Sequence, residues 1–354
     1  MNVYIRGTGN ISPQDTFEQG KFPEEIRTFD TPYLYAVEPD YKSYIKPILL
    51  RRMSRVLKMG VVAANYALRE ANVEKPDAII TATGLGMLED TEKFLGSMID
   101  NGERLLNPTA FIQSTHNTVG AHIAVMLNCN HYNLTYVHGF VSFESALIDT
   151  VMWLQEHPDH NVLLGGVEEL TDMHFRISDS AGFWKKGQVD SRRLLEYGSA
   201  GTIAGEGAAF FVVSSIPGPG SCSQVKAVKT LYKPEGKQEL EKNILSFIES
   251  AGLRLEDIDL VLMGFNGDER YDGTYHELEG SLFSGMPTGY FKHLCGEHYL
   301  ASSFGFWLAC MILQQQQVPG HVIHKGNPPE SVENILIYNQ NKMVNHSLMM
   351  ISSC

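Results

Sequence analysis

Short apolar runs alternate along this chain with stretches of helical spacing, the pattern of an α/β protein. Val3 to Arg6 predicts a strand stopped by Gly7 and Gly9. From Met53 to Asn72 the apolar residues Val56, Met59, Val62, Ala63, Tyr66, Ala67 and Ala71 fall on one broad helical face. Buried strands are expected at 77–83, 133–137, 161–166 and 207–213, with helices at 117–127 and 142–155 between them. The breaker-rich stretch at 216–221, Ile-Pro-Gly-Pro-Gly-Ser, sets an expected boundary between one half spanning 1–215 and another spanning 222–354. Beyond it the pattern restarts, with strands at 226–231, 259–263 and 347–351 and helices at 240–251 and 299–315. The two halves share an element order without a residue-level repeat.

Composition narrows the function classes. At 354 residues and 43% hydrophobic, the chain can bury a large core. Its 28 lysines and arginines face 41 acidic residues, a formal net charge of −13, which disfavours nucleic acid and an anionic membrane surface as partners. The five cysteines (129, 222, 295, 310 and 354) are scattered and odd in number, so neither a disulfide framework nor a zinc site is expected. No segment approaches the roughly 20 apolar residues of a membrane span, and the first residues lack the basic and apolar pattern of a signal peptide. A cytoplasmic protein is expected.

Several short stretches, read in order, resemble the β-ketoacyl-[acyl carrier protein] synthases across almost the whole chain. They include Ile5 to Pro13, Arg51 to Arg55, Thr81 to Gly86, Asn107 to Phe111 and Asn117 to Ala124. Gly165-Gly166-Val-Glu168-Glu169, Gly205-Glu206-Gly207-Ala208, Lys292 with Gly296, Ala301-Ser302, Asn327-Pro328 and Asn345 to Leu348 continue the series. One such motif is weak, but a dozen in order is specific. The resemblance implies a thiolase-like fold of two similar halves in five layers, α/β/α/β/α, and a dimer whose sites lie near the interface.

The resemblance also implies a cysteine at a strand-to-helix elbow, activated by the helix N-terminus and served by two histidines. Here Phe140 stands at the cysteine's place, Gly264 at the first histidine's and Glu297 at the second's, with His298 one residue away. A late glycine-rich loop that supplies an oxyanion donor is replaced by 341–345, Asn-Lys-Met-Val-Asn. Phenylalanine has no nucleophilic atom and no proton to exchange. Since nucleophile, base and oxyanion donor act as a unit, losing them costs on the order of a million-fold in comparable sites. Condensation by the family mechanism is not expected, and no cofactor or metal is implied.

His138, Phe140, Ser142, Lys292, Cys295, Glu297 and His298 remain the candidate pocket residues. Each has a plain structural reading: Ser142 as a cap, Cys295 as buried and inert, and Lys292, Glu297 and the histidines as hydrogen-bonded scaffold along with His116 and Glu144. Glu168-Glu169 reads as scaffold too, and Phe143, Trp153, Phe304, Phe306 and Trp307 as core.

Three functions follow as expectations. The first is a non-catalytic subunit resembling the chain-length factors, which pair with an active ketosynthase in fatty-acid, polyketide or aryl-polyene-type biosynthesis. The second is an acyl-thioester hydrolase or acyltransferase rebuilt on Cys295, His298 or Ser142. The third is a homodimeric acyl-binding scaffold. The chain is shorter than most of these synthases at 175–201 and 230–236. Basic character is limited to Lys185-Lys186 and Arg192-Arg193, so contact with an acyl carrier protein is expected to fall mainly to the partner.

Overall fold

The computed structural model describes residues 3–17, 20, 22–218 and 223–354. Strand β1 (Val3–Ile11) runs straight through the glycines expected to stop it. Helix α1 (Pro47–Leu50) is one turn, and α2 (Arg55–Glu70) is the long helix the spacing predicts. A Cβ at Gly7 or Gly9 would overlap the carbonyl oxygen of Ala67 or Ala63, so β1 and α2 meet backbone to backbone. Gly9→Ala is therefore expected to cost about 2–3 kcal/mol in urea unfolding. A cost near zero would show that the strand and helix part freely.

The rest of the first half comprises β2 (Ala78–Ala82), α3 (Leu88–Asp100), α4 (Pro108–Gln113), α5 (Thr118–Met126), β3 (Tyr132–Tyr136), α6 (Ser142–Glu156), β4 (Asn161–Glu168), α7 (Asp172–Ser180) and β5 (Gly207–Ser214). The second half opens with β6 (Ser223–Tyr232), α8 (Gly236–Ser250), β7 (Leu260–Met263), α9 (Gly273–Glu279), β8 (Thr288–Tyr290) and α10 (Lys292–Cys295). It closes with α11 (Ala301–Gln315), β9 (Ile323–Lys325), β10 (Asn334–Asn341) and β11 (Asn345–Ser353). Residues 219–222, which include the second half of the breaker stretch and Cys222, lie outside the described residues.

Among the described residues the strands are hydrogen-bonded in the order β3-β2-β4-β5-β1-β6-β11-β10-β7-β8-β9. The seam between halves is narrow: β1 pairs with β5 along most of its length and with β6 only through Val3 to Ile5. Side-chain alternation then builds the layers. Leu163, Phe210 and Val212 face α2 and α5, whereas Val162, Leu164, Phe211 and Val213 face the opposite way, against α6 and α11. Leu260, Leu262, Ile335, Ile337, Met349 and Ile351 meet the same two helices from the second half. Their neighbours Val261, Leu336 and Met350 turn to α8 and α9. The result is α/β/α/β/α, with α6 and α11 between the two sheet halves. Helix α11 is buried from Ala301 to Leu313, which explains its apolar sequence on every side.

In the last layer Glu279, at the end of α9, lies 2.6 Å from the Thr288 hydroxyl and 2.7 Å from His324 Nδ1 through Oε1, and forms an ion pair with the Lys325 ammonium (2.7 Å) through Oε2. Burial by itself would raise its pKa, and these donors outweigh burial, holding the carboxyl at about 2. The unfolded value is about 4.3. Because the folded pKa is the lower one, the contribution is present above about pH 4.3 and is lost as pH falls toward 2. Glu279→Gln is expected to flatten the acid limb of a stability–pH curve by about 3 kcal/mol; an unchanged limb would contradict this assignment.

Candidate functional site

Past β3 the chain reverses through Gly139, whose φ of +58° favours glycine, into a 3-10 turn and then α6. Phe140 sits on this elbow, its ring packed on Tyr299 with centroids 4.3 Å apart. Ser142 locks the turn: its buried hydroxyl accepts from the His138 N–H (2.8 Å) and donates to the Gly139 carbonyl (2.7 Å). His138 is exposed, and its Nδ1 lies 3.0 Å from the Ser145 hydroxyl. The turn is thus fixed, and neither Ser142 nor His138 lines the adjoining cleft.

That cleft has a volume of about 150 Å³, roughly ten times the space one water requires. Phe140, Leu85 and Tyr299 form one wall, and Leu170, His174, Ser178, Phe183 and Trp184, from α7 and its flanks, form another. The second half supplies Asn266, Asp268, Arg270, Glu297 and His298, with Asn341 and Lys342 from the β10–β11 turn. Phe140, Glu297 and His298 therefore do come together.

Gly264, the residue expected at the first histidine's place, does not line this cleft. A Cβ there would overlap Asn339 Oδ1 and lie 2.8 Å from the Tyr275 hydroxyl, so no side chain fits. Asn266, two residues further along, faces Glu297 instead. Its loop is held on every side. The Asp272 carboxylate accepts the Asn266 (3.3 Å) and Gly267 (2.7 Å) N–H groups, Thr202 donates to the Asn266 carbonyl (2.6 Å), and Lys185 donates to that of Gly267 (2.8 Å). Burial pushes Asp272 up to about 6 against the pull of those N–H donors.

Asn266 Nδ2 donates to Glu297 Oε2 at 2.7 Å, and Lys292 Nζ reaches the same oxygen at 2.8 Å. Lys292 is buried behind the wall rather than exposed in it. Cys295 is buried too; its thiol lies 3.2 Å from the Gly296 carbonyl, and burial pushes its pKa well up, the opposite of an activated nucleophile. His298 Nδ1 accepts from the Leu300 N–H (3.3 Å), and burial followed by the Lys292 charge lowers it to about 3, so the ring is neutral at pH 7. Glu168, buried beside the cleft, accepts from Thr83 and from the Gly84 (2.6 Å) and Leu85 (3.3 Å) N–H groups. It ties β4 to the loop after β2, a scaffold role.

Sequence reasoning missed Asn266 and the pair Ser178–His174, whose Oγ and Nε2 are 3.3 Å apart on α7. The i, i+4 spacing of that pair was legible, but α7 itself was not. Among the described residues no carboxylate hydrogen-bonds His174, and burial lowers its pKa. No group of three or more His, Cys, Asp or Glu side chains among those residues is placed to hold a metal ion. Nor is any helix among them long and apolar enough to cross a membrane.

This is a cleft at a strand-to-helix elbow, walled from both halves of a five-layer fold. Residues 32–189 match the family described as β-ketoacyl synthase, N-terminal domain. The ketosynthase fold extends over the full length. The ishigamide ketosynthase/chain length factor is similar with a TM-score of 0.78 at 17% identity, covering 100% of this chain and 99% of that one. A β-ketoacyl synthase from Burkholderia phymatum STM815 gives 0.77 at 14%, covering 100% and 99%. A ketosynthase (ApeO) in complex with its chain length factor (ApeC) from Xenorhabdus doucetiae gives 0.77 at 13%, covering 100% and 98%. Among curated proteins, none matches this chain at the level of sequence.

Proposed function

We propose that this chain is a non-catalytic ketosynthase-like subunit, of the chain-length-factor kind, that pairs with an active ketosynthase. The observation that carries the reading is Phe140 on the elbow, against Tyr299, where the resembling synthases carry their cysteine. Asn266 and Glu297 stand across the cleft, joined to each other and, through Glu297, to Lys292. Amide, carboxylate and ammonium so paired hold a shape, and at the elbow beside them Phe140 offers no thiol for a base to activate.

Pairing is supported by the surface. Among the described residues β3 is bonded only to β2, leaving one edge open. Leu134 on β3 and Val125 on α5, the helix packed beside β3, are exposed. An open edge flanked by apolar side chains is a template for another chain, and two of the similar structures are ketosynthase/chain-length-factor assemblies. Co-expression with a ketosynthase encoded beside it is expected to give a heterodimer on gel filtration, and Leu134→Lys to weaken it by about tenfold or more. Elution of the chain apart from every neighbouring ketosynthase would overturn the reading.

A second reading, acyl-thioester hydrolysis, is favoured by Ser178–His174 in the cleft wall rather than by Cys295 or Ser142. It predicts turnover abolished by Ser178→Ala. Acyl-thioester left intact by the wild-type chain removes it.

A further inference from the structure

Glu297 is held in place by its backbone as well as its side chain. Its N–H donates to the Ile203 carbonyl (2.8 Å), and its own carbonyl accepts from the Gly205 N–H (3.0 Å). Lys292 and Asn266 both donate to Oε2. The other oxygen, Oε1, is buried, and among the described residues no donor reaches it. The residue is 6% exposed and lines the cleft. A buried carboxylate oxygen without a donor is costly, and native sites rarely leave one so. The surrounding walls, Phe140, Leu170, Trp184 and Tyr299, are apolar, and the volume far exceeds that of one water. A mainly apolar cleft into which a few polar groups converge, Glu297 among them, is the general form of a small-molecule site.

Charge selects the ligand. The Lys292 ammonium already sits on the carboxylate, and Lys342, attracted by the charges of Asp268 and Glu297, lines the same cleft with its ammonium 3.7 Å from the centre of the Phe183 ring. A second cation at Oε1 would meet the Lys292 charge at close range. An anion would meet the Glu297 charge at the anchor itself. A neutral donor avoids both. His298, also in the cleft, is neutral with Nδ1 accepting, so its Nε2 carries the proton and is a donor. A hydroxyl, which gives and takes a hydrogen bond at one atom, complements the carboxylate and the imidazole together.

We propose that this cleft binds a neutral alcohol: an apolar chain whose hydroxyl donates to Glu297 Oε1. The inference concerns the chain by itself and stands apart from any pairing with a ketosynthase.

The test is saturation-transfer NMR on the purified full chain with 1-hexanol, hexylamine, hexanoate and hexanamide as matched probes. Hexanol is expected to bind at least about tenfold tighter than the amine and the carboxylate, the worth of one hydrogen bond to a charged group. Phe140→Trp, which fills the cleft, is expected to abolish the signal. Glu297→Gln, with its amide oxygen kept by Lys292 and its NH2 toward the cleft, is expected to reverse the preference between 1-hexanol and the acceptor-only 2-hexanone. Should that variant fail to fold, the ranking on the wild-type chain decides. Equal or tighter binding of the amine, carboxylate or amide, no binding of hexanol, or binding that survives Phe140→Trp would each overturn the proposal.

Discussion

Lys292→Met is expected to lower the unfolding free energy by about 3–5 kcal/mol, the usual cost of leaving one member of a buried ion pair uncompensated. Lys292 Nζ lies 2.8 Å from Glu297 Oε2, with the two side chains only 1% and 7% exposed. Removing the ammonium leaves Glu297 with one neutral donor, Asn266, on one oxygen and none on the other. The double variant Lys292→Met/Glu297→Met removes both charges and is expected to regain most of the loss. A urea double-mutant cycle measures the difference as a coupling of about 2 kcal/mol or more. Additive single losses would show that the pair contributes nothing as a pair, and the picture of a rigid cleft floor would go with it.

Arg55→Met is the second large effect expected, about 3 kcal/mol or more. Glu206 is fully buried, and Arg55 grips it with both terminal nitrogens, one at 2.6 Å. Its carboxylate also accepts the N–H groups of Ala36 (2.8 Å) and Leu170 (2.9 Å). One side chain therefore pins the 33–38 segment to the strand end that carries the cleft wall. Without the guanidinium the carboxylate remains in the core with neutral donors alone, so hydrogen exchange at Ala36 is expected to speed up along with the global loss. Arg55→Met/Glu206→Gln is expected to recover part of the stability. A loss below 1 kcal/mol for Arg55→Met would mean that the backbone donors suffice.

Much of the fold was legible because burial writes itself into residue type. Helix α2, strands β4, β5 and β7 and helix α11 all lie within a few residues of their expected places. What escaped did so for physical reasons. Strand β10 is central, yet its run Ile335-Leu-Ile-Tyr338 is short and passes into Asn339 and Gln340, polar residues buried in the sheet. Helix α7 exposes Met173 and Ile177, so its apolar residues mark no core-facing stripe. Gly7 and Gly9 read as breakers because a sequence does not display the helix backbone pressed against them.

The site divided in the same way. Phe140, Glu297 and His298 do share a cleft. Gly264 stands outside it, and a count from Asp259 does not register that Asn339 and Tyr275 fill the space beside it. Asn266 is recognisable only once Asp272, Thr202 and Lys185, far apart in sequence, converge on its loop.

The open margin of β3 ends at Tyr136, and the chain reaches the benzyl group of residue 140 within one tight reversal. A body zipped onto that margin and a guest lodged behind the ring would lean on the same few peptide units. Whatever factor the guest adds to the grip of the neighbour, the neighbour must add to the grip of the guest.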